Sequence, residues 1–292
     1  MTNQIILNNS FSKLNPQVIF KQGEAVGIIA GSKSMPVRFA QHAKSLGLRV
    51  CAICHLDETS KEIESIADEV CWIKLGQLGS IIDFFKKHGV TKAVMVGGIS
   101  RVKSFKDIRP DWRGALFIAK LRSTKDDVVM RSMADELASE GVEILESTVF
   151  AKDDLALLGV MTKRKPSSKQ MDDIEVGREA MRVISSQHIG QLVVVKDGVI
   201  TAVEAVEGSD EAIRRGGKLG HNDTVIVKCA KTNQDMRFDV PIIGLETIRI
   251  MMEVSASVLS VEAGRCLILD KSEVIKLAND NGIIIVGSEP LV

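Results

Sequence analysis

The chain is 292 residues long, 45% hydrophobic and 26% charged, with 38 Lys and Arg against 38 Asp and Glu. This length and composition are typical of a globular protein of two domains, and the balanced charge argues against a general nucleic-acid binder. No apolar run approaches the ~18 residues that a membrane span needs, and residues 1–20 lack the apolar core of a signal peptide. We therefore expect a cytoplasmic protein.

The five cysteines, an odd number, are expected to be reduced thiols. Cys51, Cys54 and His55 match the C-x-x-C-H pattern of haem attachment. They fall, however, in a predicted buried strand, where cysteine commonly serves as a small apolar residue. We predict buried strand cysteines at these positions instead of a haem or zinc site.

The first half of the chain alternates apolar runs with segments of helical spacing. After an extension at 1–22, the run 25–30 stops at Gly31, and Pro36 can open a helix at its first position. Strand, glycine loop, helix and strand in this order form a βαβ unit, which implies a parallel sheet. Further elements are predicted at 48–54, 70–73, 78–87, 92–96, 113–121, 127–139 and 142–145. The pattern predicts an α/β fold that begins with a Rossmann-like parallel-sheet domain over residues 1–160.

The composition changes after this domain. Residues 162–168 are basic and polar and contain Pro166, so we predict a linker over 161–169. Residues 170–292 are predicted to form an α+β domain with a hairpin over 192–206 and a second hairpin through 263–264. Its other elements are helices at 172–185, 208–217, 245–253 and 272–279 and strands at 224–228 and 283–286.

The most informative stretch of the second domain is 231–244. Pro241 disfavours the α region at Val240, which predicts an extended segment before it. In such a segment Asp235, Arg237 and Asp239 line one face, because side chains alternate. Two carboxylates that flank a guanidinium suit a divalent cation and a phosphate. An edge strand with a merely solvated polar face explains the same alternation.

Two glycine loops of the first domain are candidate phosphate contacts. Gly31 and Ser32 follow the first strand of the parallel sheet, although the loop matches neither the dinucleotide fingerprint nor the P-loop. Gly98 and Arg101 follow another strand at the sheet edge where ligands bind in open α/β sheets. Plain strand–helix packing at the first loop and a solvated basic face at Arg101 remain the alternatives.

In the second domain, Glu204, Glu207 and Asp210 run from a strand into a helix start. The two glutamates lie on opposite faces of a regular strand, so they share a site only if the strand ends or bulges between them. Asp210 also fits the helix dipole as a first-turn acid, and Arg214 and Arg215 fit it at the other end.

A basic helix in the first domain allows two interpretations. Trp112, Leu116 and Ala119 share one side, with Arg113 and Lys120 close by. This arrangement suits lipid headgroups, and an ordinary core-facing helix has the same spacing.

Taken together, the motifs resemble the LpxI-type UDP-2,3-diacylglucosamine diphosphatases of lipid A synthesis. The matching segments span about residues 24 to 289 in family order, and they are 27–31 with Met35 and Pro36, 96–101, 189–191, 202–210 with 213–215, and 234–244. The segments that contain Asp210 and Asp239 are the specific ones. This chain departs from the family pattern at Ser32 and Ser34, where glycine is usual, and at Ile242, where the family has a hydroxyl residue.

The resemblance implies hydrolysis of UDP-2,3-diacylglucosamine to UMP and 2,3-diacylglucosamine 1-phosphate (lipid X). Water would attack the α-phosphorus with the help of Mg²⁺, and the catalytic aspartate falls on Asp239. The lipid substrate would lie between two domains. The partners are then this UDP-linked lipid and, transiently, the inner face of the inner membrane, with a homodimer left open and no nucleic acid.

On this basis we assign roles to individual residues. The catalytic residues are expected to be Asp239, Arg237 and Asp235, and the metal ligands Asp239, Asp235, Glu204 and Glu207. The substrate-binding residues are expected to be Gly31, Ser32, Gly98, Arg101, Gln191, Asp210, Arg214, Arg215 and Lys231. A dinucleotide-binding oxidoreductase and a non-catalytic UDP-sugar or lipid sensor are the alternative functions.

Overall fold

The computed structural model describes residues 4–8, 17–98, 108–123, 125–187, 189–231 and 234–291. By its internal contacts the chain divides into two units. Unit 1 comprises residues 1–151 together with Asp235–Phe238, and unit 2 comprises Lys152–Gln234 and Asp239–Val292. Among the described residues, no helix is both long and apolar enough to cross a bilayer.

Unit 1 contains a five-stranded parallel sheet in the order β5-β4-β3-β6-β7. The strands are β3 (Ala25–Ala30), β4 (Arg49–His55), β5 (Glu69–Ile73), β6 (Lys92–Val96) and β7 (Glu143–Leu145). The helices are α1 (Met35–Ser45), α2 (Leu78–Lys87), α3 (Trp112–Lys120) and α4 (Asp126–Ser139). An antiparallel pair, β1 (Gln4–Asn8) and β2 (Gln17–Lys21), precedes the sheet.

The sheet of unit 1 is covered on both faces. Every residue of β3 is buried, and its side chains alternate between two hydrophobic clusters, with Val26 and Ile28 in one and Ala25 and Ile29 in the other. A parallel sheet with helices on both faces requires such a continuous apolar strand. The predicted α/β class and Rossmann-like first domain are confirmed.

Two cysteines of this sheet are buried, as the sequence predicts. Cys51 and Cys54 lie within β4, and burial raises the pKa of their thiols to about 11 and about 12. His55, at the end of the strand, is also buried, and its Nδ1 lies 2.9 Å from the carbonyl oxygen of Ala30. These groups belong to the core of unit 1.

Unit 2 is built on a six-stranded mixed sheet in the order β10-β9-β11-β13-β15-β8. Its strands are β8 (Gly159–Val160), β9 (Leu192–Lys196), β10 (Val199–Val203), β11 (Val225–Lys228), β13 (Val258–Glu262) and β15 (Ile284–Ser288), and its helices are α5 (Ser168–Ser186), α6 (Ser209–Gly220), α7 (Leu245–Glu253) and α8 (Lys271–Asp280). Strand β9 runs antiparallel to β10 and β11, whereas β11, β13 and β15 are parallel. The hairpin predicted over 192–206 is confirmed by the pairing of β9 with β10.

The hairpin predicted through 263–264 is wrong. Strand β13 pairs in parallel with β11 and β15, while β14 (Leu267–Ile268) pairs in parallel with β12 (Ile242–Ile243) in a separate small sheet. The glycine turn thus separates strands of two sheets. The partners of both strands are distant in sequence, and no turn signal reveals them.

The predicted linker 161–169 lies inside unit 2. The backbone N–H of Met161 donates to the carbonyl of Ile285, and that of Lys163 donates to the side chain of Asn279. Ser167 then caps α5 through a reciprocal capping box with Gln170. The contacts place the division between the units earlier, at Ala151 and Lys152.

Candidate active site

The carboxyl ends of several strands of unit 2 form the edge that positions the candidate site. Glu204 follows the last residue of β10, and Lys228 is the last residue of β11. Because β9 is antiparallel to both strands, its first residue meets the same edge, and Gln191 immediately precedes it. Residues far apart in sequence therefore converge at this edge.

A chain of hydrogen bonds links these residues. The ammonium of Lys228 donates to the hydroxyl of Ser209 (2.9 Å), which donates to Glu204 Oε1 (3.0 Å). Glu204 Oε2 accepts the backbone N–H of Gln191 at 3.1 Å. Only 7% of Lys228 is exposed, so its charge is held in a protected position beside these polar groups.

Asp239 lies at the end of this series of hydrogen bonds, next to Gln191. Its Oδ2 accepts a hydrogen bond from Nε2 of Gln191 at 2.7 Å and lies 3.6 Å from the ammonium of Lys231. Gln234 fixes the local backbone, since its Nε2 donates to the Asp239 carbonyl at 2.8 Å. The Asp239 side chain is 54% exposed. It is thus a carboxylate with one hydrogen bond and one ion pair, and it is open to solvent.

The extended segment predicted to place Asp235, Arg237 and Asp239 on one face is wrong. Residues 236–238 form a turn, with the Phe238 N–H bonded to the Asp235 carbonyl (3.1 Å). The Asp235 side chain accepts the backbone N–H of Arg237, the usual way in which aspartate starts a turn. Pro241 restricts only the residue before it, which leaves this turn free to form.

Asp235 is committed to guanidinium groups. Nε and an Nη of Arg237 donate to its two oxygens at 2.9 and 2.7 Å, and Nε of Arg131 lies 3.6 Å from Oδ2. Burial acts to raise the pKa of Asp235, but the bonds from Arg237 and the charge of Arg131 lower it overall. The turn belongs to unit 1, where Phe238 packs on the core and the Met236 carbonyl accepts from Ser147.

The other candidate residues of unit 2 are engaged in local ion pairs. Glu207 accepts from Arg215 (2.6 Å) and from the N–H of Ala205, and Arg215 also donates to the Val203 carbonyl. A bond to its own backbone N–H and the Arg215 guanidinium lower the pKa of Glu207. Arg214 bonds to Glu211 and Glu253.

Asp210 lies exposed in the first turn of α6. The helix therefore has acids in its first turn, as the dipole interpretation requires. The prediction that Arg214 and Arg215 lie at the other end is wrong, because the helix continues to Gly220 and the basic residue of its last turn is Lys218.

The glycine loop of unit 1 is a packing contact. The N–H of Gly31 donates to Val96 O (2.8 Å), and both the N–H and the hydroxyl of Ser32 donate to Gly98 O (2.7 and 2.8 Å). A Cβ on Gly31 would lie 2.5 Å from that same carbonyl oxygen, so only glycine allows this approach. These N–H groups are therefore not directed at a phosphate. Arg101 lies outside the described residues.

The site residues fit Mg²⁺ only in part. No cluster of three or more His, Cys, Asp or Glu suited to a metal occurs in the described part of the chain. Asp235 fits poorly as a ligand because Arg237 donates to both of its oxygens, and Glu207 because one oxygen accepts from Arg215 and the other from the Ala205 N–H. Asp239 fits best, since it is open to solvent and Mg²⁺ is commonly held by one or two carboxylates together with water and substrate phosphates. Glu204 fits if a cation replaces its bond from Ser209 or from the Gln191 N–H.

Two contributors to the site are missed by the sequence patterns. Ser209 resembles only a helix cap, yet Gly208 holds the cap position and the Ser209 hydroxyl joins Lys228 to Glu204. Lys228 is the second contributor. Its place at the end of the apolar strand β11 is the only sequence signal that indicates a buried charge there.

Known proteins share these sequence features. Family models of the LpxI N-terminal domain and the LpxI C-terminal domain match residues 25–155 and 158–286. The curated UDP-2,3-diacylglucosamine pyrophosphatase LpxI of Caulobacter vibrioides is 31% identical over 281 residues, which make up 91% of this chain and 98% of that protein. The chain belongs to the LpxI family. This assignment confirms the resemblance that the motifs indicate.

Solved structures overlap with this LpxI-family chain only loosely. Glycinamide-RNase-transformylase T from Mycobacterium tuberculosis is 13% identical, with 63% of this chain and 44% of that chain covered and a TM-score of 0.24. The protein gox2253 is 12% identical, with 89% and 84% covered and a TM-score of 0.30. Overlaps of this size carry no functional information.

Proposed function

We propose that this chain hydrolyses the diphosphate of UDP-2,3-diacylglucosamine to UMP and 2,3-diacylglucosamine 1-phosphate in lipid A biosynthesis. The observation that carries the proposal is the exposed Asp239 carboxylate, held by Gln191 and Lys231 at the strand edge of an LpxI-family domain. The curated relative, which is named for pyrophosphatase activity on this UDP-lipid, covers nearly the whole chain.

Asp239 acts on the attacking water. Its exposed carboxylate orients the water and accepts a proton as the water oxygen bonds to the α-phosphorus. The bond between that phosphorus and the bridging oxygen then breaks, and the lipid 1-phosphate leaves. Gln191 fixes the direction of the carboxylate, because its Nε2 donates to Oδ2.

Cationic side chains balance the charge on the diphosphate. The Lys231 ammonium, 3.6 Å from Asp239, can contact phosphate oxygens. Asp239 and Glu204 would hold Mg²⁺, which neutralises charge on the transferring phosphate when bound. Lys228 and Ser209 keep Glu204 oriented toward the edge.

The assembly and location of the chain are further parts of the proposal. We place it in the cytoplasm, in transient contact with the inner face of the inner membrane that contains its lipid substrate. We also propose that the chain forms a homodimer. Light scattering after size-exclusion chromatography measures the molar mass that tests this.

Incubation of the purified chain with UDP-2,3-diacylglucosamine tests the reaction. UMP should be released with Mg²⁺ and not after chelation, and in ¹⁸O-water the label should appear in UMP. Label confined to the lipid phosphate would contradict attack on the α-phosphorus. Tight binding of the UDP-lipid without turnover would contradict hydrolysis and favour a sensor, and binding of NAD(H) would favour an oxidoreductase.

A further inference from the structure

Helix α3 has an outward apolar side that the described residues of unit 1 leave exposed. Trp112 is 76% exposed, and Leu116 and Ile118 are 43% and 44% exposed. A single exposed leucine is ordinary, but Trp112 and Leu116 are four residues apart and lie on the same side of this nine-residue helix, where they form an apolar patch of the kind that marks an interaction surface. Ile118 projects from another side of the helix.

The orientation of α3 is fixed by its first turn. The Asp111 carboxylate accepts the N–H groups of Gly114 (2.8 Å) and Ser80 (3.0 Å). Gly114 packs so closely that a Cβ there would lie 1.9 Å from the carbonyl oxygen of Gly76. These contacts hold the Gly114 side of the helix against the unit, so the opposite side faces outward.

The outward side is a continuous stripe. Trp112, Ala115, Leu116 and Ala119 are all exposed and have i, i+3, i+4 and i+7 spacing, which places them within roughly a 100° arc of the helix. Phe117, on the inner side, packs against the core of unit 1. The helix therefore packs Gly114 and Phe117 against unit 1 and leaves the stripe of Trp112, Ala115, Leu116 and Ala119 outside.

Basic residues surround this stripe. Residues 108–123 contain Arg109, Arg113, Lys120 and Arg122, all exposed, and one acid, Asp111, which caps the helix. Arg113 also reaches Glu140 at 2.8 Å. In a chain of zero formal net charge this segment is distinctly positive.

We propose that α3 with its flanking basic residues, named here the α3 face, docks the protein on an anionic lipid bilayer. The inference rests on the proposed function, since a diacyl substrate resides in such a bilayer. Tryptophan favours the bilayer interface, and basic residues are attracted to anionic headgroups. A second copy fits less well, because two α3 faces would bring like charges together.

Vesicle flotation with the full-length protein tests the docking. The protein should float with phosphatidylcholine vesicles that contain phosphatidylglycerol, less so with phosphatidylcholine alone, and less as salt rises. Trp112→Ser with Leu116→Ser should lower the partition coefficient about tenfold or more. The matched control Val183→Ser, an exposed apolar residue of α5, should leave it unchanged.

A pair of charge-reversal variants separates the electrostatic contribution to vesicle binding from the apolar one. Lys120→Glu with Arg122→Glu should reduce binding to anionic vesicles only, whereas Lys276→Glu, an exposed lysine of α8, should not. Equal flotation of wild type and the α3-face variants would overturn the proposal. The proposal would also be overturned if an α3-face variant changed the protein from a dimer to a monomer and left its flotation with vesicles unchanged.

Fluorescence provides a test that does not depend on altering α3. The chain has two tryptophans, Trp72 and Trp112, so Trp72→Phe leaves Trp112 as the only indole reporter. Anionic vesicles should shift its emission to the blue as the ring leaves water, and an unchanged emission maximum would overturn the docking.

Substrate presentation distinguishes this inference from the proposed function. UMP release by the Trp112→Ser, Leu116→Ser variant should match wild type in detergent micelles and fall on vesicles. If wild type releases no UMP in either setting, the hydrolase function fails, while flotation still decides the docking. Equal release by variant and wild type on vesicles would contradict the docking.

Discussion

Asp235 and Asp239 stand four residues apart in one motif, yet their surroundings are opposite. Asp235 is 11% exposed and bonded through both oxygens to Arg237, with Arg131 near. Asp239 is 54% exposed and is held by an amide and an ammonium.

This difference separates a carboxylate used for folding from one available for chemistry. A carboxylate that accepts a bidentate guanidinium loses two strong hydrogen bonds if it binds a metal or a proton. Asp239 keeps open access to water while Gln191 directs it. The alternation of side chains along the sequence predicts equivalent positions for Asp235 and Asp239, whereas their bonding partners differ.

The largest expected effect is on turnover at Asp239. Asp239→Ala should lower kcat roughly 10²–10⁴-fold, because the acceptor for the water proton is lost. The urea midpoint should stay near that of wild type, since the side chain is exposed. Asp280→Ala, an exposed aspartate of α8, is the control and should keep full activity. Near-normal kcat would remove Asp239 from the catalytic role.

The complementary change should act on stability. Asp235→Ala should lower the free energy of unfolding by about 2 kcal/mol, because two guanidinium groups lose a largely buried partner. Glu246→Ala breaks only an exposed pair with Arg249 and should cost less than about 1 kcal/mol. Urea denaturation measures both. Equal costs for the two variants would contradict a structural role for Asp235.

A variant of Glu204 tests whether this residue and Asp239 bind the Mg²⁺ ion together. Glu204→Gln keeps the shape and loses the charge, so the Mg²⁺ concentration for half-maximal UMP release should rise about tenfold or more. Glu273→Gln, in the first turn of α8, should not change it. A metal dependence identical to that of wild type would exclude Glu204 as a ligand.

The smallest effect concerns pH. The lowered pKa of Asp235 means that the unfolded state binds a proton at a higher pH than the folded state does. The stability that its charge contributes is therefore complete above the ordinary value of 3.8 and is lost as pH falls through the folded-state pKa. The difference in unfolding free energy between wild type and Asp235→Asn should shrink over this acidic range. A constant difference down to acidic pH would argue against the charge effect.

The sequence predicts the parts of this molecule that depend on local pattern. The run in β3 indicates a parallel sheet because both of its faces are buried, and the α6 first-turn acids follow from the helix dipole. The turn at 236–238 is missed because Asp235 bonds to its own neighbouring backbone, which no alternation reveals. The link between Lys228 and Glu204 is missed because it spans β9 and depends on the order of the strands.

We infer that turnover depends on the Asp239 carboxylate and folding on the Asp235 carboxylate. Single-turnover UMP release and urea unfolding, measured side by side for Asp239→Asn and Asp235→Asn, test it most directly. We predict that the first variant loses turnover and keeps its stability, while the second loses stability and, where folded, keeps most of its turnover. The reverse pattern, or equal losses of turnover in both folded variants, would contradict the account.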